Sequence, residues 1–289
     1  FFLTTYLSYG LLPFSSTSFK ANFNYLNNGV DFLTVLKTWD GQHYHFLADN
    51  GYSLDNLSNA FYPLYPLLMK LLSYITFGNT LVAGLIISNV ASIFAFLLFY
   101  SFITKHFDSN IAIRSTILLL FFPTAFYTNV LYSEGLFFLL LTIFFYSLFE
   151  NRLTMLIVTS FLLPTSRPQG LLLIIPLIVF IVDKYKLDIK KIVTAKENFA
   201  LLSILLGFIF YLLYMYFETG SAISGFDAQK YYIAGNSIAN LFHPISWFEK
   251  NFIDIDLSLH GFTNSVIDRF FFFFYLHQTH FLFELFFFF

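Results

Sequence analysis

Residues 80–104 read TLVAGLIISNVASIFAFLLFYSFIT, an apolar run without a charged side chain. About 20 mainly apolar residues cross a hydrocarbon core as a helix, so this run predicts a transmembrane span. The same signature recurs on both sides of it, at 1–14, 111–128, 131–149, 153–165, 168–182, 199–217 and from 265 to the end. The stretch 153–165 is short, and it spans only if its helix runs on through Ser166 or the bilayer thins locally. Residues 61–77 carry Pro63, Pro66 and Lys70. They read as a helix lying at the interface, because the prolines break its first turn and the lysine interrupts the apolar run.

Composition supports the same class. Of 289 residues, 57% are hydrophobic, 22% aromatic and only 11% charged, too little charge to cover a soluble globule. The expected fold is all-α, a polytopic transmembrane helix bundle forming one integral-membrane domain over 1–289. A first long non-cytoplasmic loop, 15–79, holds interfacial helices, and a second covers 218–264. Both ends read as cut: Phe1-Phe2-Leu3 starts as if inside a span, and 265–289 is a Phe-dominated, low-complexity tail given no functional weight. The absence of Cys removes disulfides, thiolate metal sites and cysteine nucleophiles. A net charge of -2 without a basic tract excludes nucleic acid and leaves lipid as the partner class.

Lysine and arginine set the orientation. The densest basic cluster, Lys184, Lys186, Lys190, Lys191 and Lys196, is assigned to the cytoplasm, and parity sends Lys105, Arg114 and the turn at Asn151-Arg152 to the same side. The polar segments around Asp40, Glu134, Arg167 and Gln229 then share the non-cytoplasmic face. This holds provided that 61–77 does not cross.

Asp40, in Trp39-Asp40-Gly41-Gln42-His43-Tyr44, has two readings. It caps a helix starting at Gly41, since Asp is a favoured N-cap, or it is a general base at the membrane surface. Glu134, between two strongly apolar stretches, is costly there unless paired or facing a wet cavity, and it also suits the dipole of the helix that follows. Arg167, at a helix break with Pro168 first in the next segment, either snorkels to headgroups or clamps a phosphate. His43 and His45 are two apart and do not converge on one helix face, so no metal is expected. Tyr62, Tyr65, Tyr127 and Tyr132 read most simply as interfacial belt residues.

The ordered motifs Trp39-Asp40-Gly41-Gln42-His43-Tyr44, Ala48-Asp49-Asn50-Gly51-Tyr52, Phe61-Tyr62-Pro63-Leu64-Tyr65-Pro66-Leu67, Tyr132-Ser133-Glu134-Gly135-Leu136-Phe137 and Arg167-Pro168-Gln169-Gly170 resemble those of the PIG-V-type mannosyltransferases. A last element runs from Gly220 to Gln229. The resemblance implies a GT-C glycosyltransferase that moves mannose, or another hexose, from a polyprenyl or dolichyl phosphate donor to a lipid- or protein-linked hydroxyl by a single inverting displacement. It needs no cofactor. Carried over by position, Asp40 is the general base, Arg167 holds the donor phosphate and Glu134 positions the sugar or acceptor. Trp39, His43, Tyr44, Tyr132 and Gln229 line the site. The expected location is the plasma membrane of a prokaryote or the endoplasmic reticulum of a eukaryote, with the site on the non-cytoplasmic face. The alternative is a transporter or flippase, which usually carries internal repeats that this sequence does not show.

Overall fold

A computed structural model describes residues 6–7, 10–11 and 32–229, apart from 38 and 123. The spans expected at 1–14 and from 265, with the Phe-rich tail and most of the loop beyond 218, lie outside the described residues. Those that are described are helical throughout, with no strand among them: α1 (Phe32–Val35), α2 (Asp40–Asn50), α3 (Leu64–Ser73), α4 (Thr80–His106), α5 (Ser109–Leu120), α6 (Glu134–Phe149), α7 (Leu153–Ser166), α8 (Ile174–Lys184), α9 (Ile189–Val193), α10 (Asn198–Thr219) and α11 (Ser224–Gln229). Short 3-10 turns at Leu57–Ala60, Ala125–Thr128 and Pro168–Leu173 link them.

The longest helix grows from the stretch quoted above. Asn79 caps α4 by accepting a hydrogen bond from the Val82 amide at 3.0 Å, and Lys105 and His106 suit the dipole in its last turn. At 1.5 Å per residue it is about 40 Å long, enough to cross a bilayer. Helix α10, with 22 residues, is also long enough. In their most apolar windows only 39% of α4 and 33% of α10 is buried, whereas a soluble protein's core helix would be mostly covered. The outward faces carry Ile93, Phe94, Leu97, Leu205 and Leu213, which suit lipid.

Small residues determine how closely the helices pack. Ala83, Gly84, Ser88, Ala91, Ser92 and Ala95 form the buried stripe of α4, and α6 lies against it. At Gly135 an added methyl would sit 2.3 Å from Ser92 Oγ and 2.6 Å from the Ser88 carbonyl oxygen. Gly135→Ala is therefore expected to destabilise the protein by about 1–3 kcal/mol through overpacking, seen as a lower melting temperature in detergent. An unchanged melting curve would mean that the two helices part freely at this end.

The long helices pack in chain order, with shorter helices between some of them in sequence. Helix α3 packs on α4, α4 on α6, α6 on α7 and α7 on α10, with α5 against α4. The turn between α6 and α7 is short, so these two run antiparallel, and the start of α6 meets the end of α7. At the opposite end Lys184 reaches Glu197 at 2.8 Å and Asn151 at 2.6 Å, while Lys105 pairs with Glu150.

Several expected boundaries shift. The span at 111–128 is interrupted: α5 stops at Leu120, ahead of Pro123, a residue without the amide that a continuing helix needs. The span at 168–182 opens as a 3-10 turn and becomes α-helical only at Ile174, leaving eleven residues in α8. Gly170, within this turn, lies so close to α7 that an added methyl would stand 2.2 Å from the Leu163 carbonyl carbon. The helix expected at 61–77 is α3, with Pro63 just before it. Tyr62, Tyr65, Tyr127 and Tyr132 are buried rather than set in an interfacial belt.

Candidate active site

The end of α7 and the start of α6 bring the first two charges together. Arg167 follows the last residue of α7 in an extended conformation, φ -156° and ψ 152°, because Pro168 disfavours helical geometry in the residue before it. From there its guanidinium donates to Glu134 Oε1 at 2.8 Å, across 33 residues of sequence. Glu134 stands in the first turn of α6, where the helix dipole favours a negative charge. Its second oxygen, Oε2, is buried and receives no hydrogen bond from any described residue. Burial works against the charge of Arg167, but the neighbouring carboxylates, Glu134 first and then Asp40, outweigh it and keep the guanidinium protonated.

Asp40 opens α2. The helix starts at Asp40 rather than Gly41, and Trp39 occupies the cap position without capping the helix through its side chain, so Asp40 does not cap it. Trp39 has φ 51°, a conformation that a bulky side chain rarely adopts, and is half exposed. The Asp40 amide donates to the Tyr132 hydroxyl at 3.2 Å, joining α2 to the segment before α6. No described residue hydrogen-bonds the Asp40 carboxylate. Burial and the nearby charge of Glu134 push its pKa up to about 7, with Arg167 acting in the opposite direction. The Asp40 proton is therefore shared near neutrality.

Tyr44 lies one turn after Asp40 and is buried. Its hydroxyl and Ser133 Oγ are 2.7 Å apart, and Ser133 immediately precedes Glu134, so this bond ties α2 to the start of α6. The Tyr44 ring packs edge-on against Phe61 and Tyr65. The Tyr65 hydroxyl lies 2.6 Å from Ser88 Oγ, which donates to the Tyr132 carbonyl at 2.8 Å. Hydroxyls on α2, α3 and α4 thus brace the segment that carries Glu134.

His43 faces a different neighbour. Its ring stacks on Phe61 at 4.6 Å, and Nδ1 lies 2.9 Å from Ser58 Oγ. Burial lowers its pKa to about 4, so it is neutral at physiological pH. Next to Ser58, Asn59 donates to Ser224 Oγ at 2.7 Å and docks α11 on the 57–60 turn. Gln229 lies on α11, half-buried, and no hydrogen bond or ion pair joins it to Asp40, Glu134 or Arg167.

Of the residues singled out in the sequence, Asp40, Glu134, Arg167, Tyr44 and Tyr132 form one cluster. His43 and Gln229 stand on its α11 side. Ser133, Ser58 and Asn59 were not anticipated. Only the position of Ser133 beside Glu134 hinted at a role. An acid that ionises near neutrality beside a fixed cation can take up a proton while an anion is held. The buried Oε2 of Glu134 can accept a hydrogen bond from a hydroxyl.

An acid, an ion pair and hydroxyls gathered at the ends of apolar helices, two of whose neighbours, α4 and α10, are long enough to cross a bilayer, are consistent with an enzyme in a membrane. The family model Mannosyltransferase (PIG-V) matches residues 5–234, and the chain belongs to that family. It is a glycosyltransferase, with a sugar donor and an acceptor as substrates. No curated protein and no solved structure matches it.

Proposed function

We propose that the protein transfers mannose, or another hexose, from a polyprenyl or dolichyl phosphate to a lipid- or protein-linked hydroxyl, as a polytopic GT-C enzyme acting on the non-cytoplasmic face. The observation that carries this reading is the Arg167–Glu134 ion pair beside an Asp40 whose pKa lies near neutrality. A donor anchored by a long isoprenoid chain keeps its phosphate at headgroup level. A charged cluster at the end of apolar helices suits that depth.

In the reaction, Asp40 removes the proton from the acceptor hydroxyl as its oxygen attacks the anomeric carbon. The new C–O bond forms on the face opposite the departing phosphate, the bond between C1 and the phosphate oxygen breaks, and its electron pair leaves with the lipid phosphate. Arg167 stabilises that growing negative charge. Glu134, held by Arg167 through one oxygen, offers the other to a sugar or acceptor hydroxyl. Trp39 is exposed enough to meet a sugar ring. Tyr44 and Tyr132 act mainly by holding α2 against the start of α6.

The test is to incubate membranes containing the full-length protein with radiolabelled polyprenyl-phosphate mannose and follow label into lipid and protein. No transfer to either would overturn the reading. The pH profile makes a finer test of the base. Asp40 must be deprotonated to act, so kcat is expected to rise through about pH 7. In Glu134→Gln the negative charge that raises the Asp40 pKa is gone, so the rising limb should move to lower pH even where the overall rate falls. A limb that stays in place would assign the titration to another group.

A further inference from the structure

At the opposite ends of α8 and α10 from the site, residues 185–197 form a loop whose backbone is fixed from within. Glu197 binds Lys184 at 2.8 Å and accepts from the Tyr185 hydroxyl at 3.2 Å. Asn198 donates to the carbonyls of Ile192 and Val193 at 2.8 and 3.0 Å, and Ala195 is buried. Asp188 caps α9 through the Lys191 amide. Held in this way, the loop turns three large apolar side chains outward, Leu187, Ile189 and Val193, at 73%, 75% and 71% exposure. Lys186 and Leu187 have positive φ, 49° and 62°, unusual for residues with side chains, and this bend contributes to the display.

Lys186, Lys190, Lys191 and Lys196 are exposed on the same loop. Asp183 and Asp188 offset part of this charge, and Asp188 is paired with Lys191 at 3.2 Å. In water, fixed and exposed apolar side chains among lysines have no partner. At a bilayer surface both kinds do: the apolar groups enter the acyl boundary and the ammonium groups reach the lipid phosphates.

We propose that loop 185–197 is a binding site for anionic phospholipid, with Leu187, Ile189 and Val193 seated below the headgroups and Lys186, Lys190, Lys191 and Lys196 holding their phosphates. The occupant is a membrane leaflet rather than a soluble partner, because the loop joins α8 to α10, a helix long and apolar enough to end at that surface.

The experiment uses the full chain in nanodiscs of phosphatidylcholine, with and without phosphatidylglycerol. A fluorophore on Val193→Cys is expected to be quenched by lipids labelled near the headgroup and protected from iodide in the water. Native mass spectrometry should find phosphatidylglycerol retained over phosphatidylcholine. Each Lys→Gln among Lys186, Lys190 and Lys191 is expected to reduce that preference by up to roughly fivefold, the value of one lysine near an anionic leaflet. A fluorophore quenched by iodide and not by lipid would overturn the seating of the loop. Equal retention of the two lipids, or a preference untouched by the triple Lys→Gln variant, would overturn the anionic site. Neither result depends on sugar transfer.

Discussion

Asp40→Asn is expected to slow sugar transfer by roughly 10²–10⁴-fold, the usual contribution of a positioned general base, with little change in the melting temperature. Stability is spared because the tie from this position to Tyr132 is made by the backbone amide, which Asn keeps. The carboxylate takes no hydrogen bond from the described residues, so its loss leaves none of their groups unpaired. Burial raises its pKa to about 7, whereas Asn is neutral at every pH. The residual activity of the variant should therefore lose the rising limb near neutrality. Radiolabelled transfer across a pH series checks both points, and an unchanged rate would remove Asp40 from the role of base.

Arg167→Ala is expected to lower kcat by about 10²–10³-fold, the scale for removing one preorganised donor from a developing negative charge. Arg167→Lys should recover only part of this, because an ammonium lacks the planar fork that can hold Glu134 and a phosphate oxygen together. Removing the guanidinium also leaves Glu134 without its counter-ion in a partly buried place, so some loss of stability is expected. The double variant Arg167→Gln with Glu134→Gln separates the two effects. It removes both charges and keeps a hydrogen-bonding pair, so it should fold and still fail in transfer. If it transfers at the normal rate, Arg167 serves the fold and not the phosphate.

The three charged residues stood out in the sequence because charge amid so many apolar residues is expensive and must be justified by pairing or function. Glu134 is costly there unless it is paired or faces a wet cavity, and of these the structure shows the pairing, with Arg167. The helical class was equally visible, since runs such as 80–104 have no other economical form in hydrocarbon. What could not be read was how hydroxyl groups join the segments. Ser133, Ser58 and Ser88 look like ordinary small residues until Tyr44, His43 and Tyr65 lie beside them. The same limit misplaced the tyrosines, whose side chains suit an interfacial belt or a buried hydrogen bond equally well. Helix ends were misjudged where Pro123 and Pro168 interrupt apolar stretches, because hydropathy measures side chains and not missing amides.

The cluster is closed by two contacts of very different reach along the chain. Arg167 and Glu134 are separated by 33 positions and belong to helices joined by a short turn, whereas the bond from Asp40 to Tyr132 spans 92. For a flexible chain the longer closure costs about 0.9 kcal/mol more in entropy, and the helices α3, α4 and α5 lie within the loop that it closes. For the complete chain folding from the unfolded state, closure entropy alone therefore favours the ion pair over the contact that docks the acid. On the proposed roles, the contact that sets the phosphate-binding group is local in the chain, whereas the one that sets the proton acceptor draws together segments far apart in it.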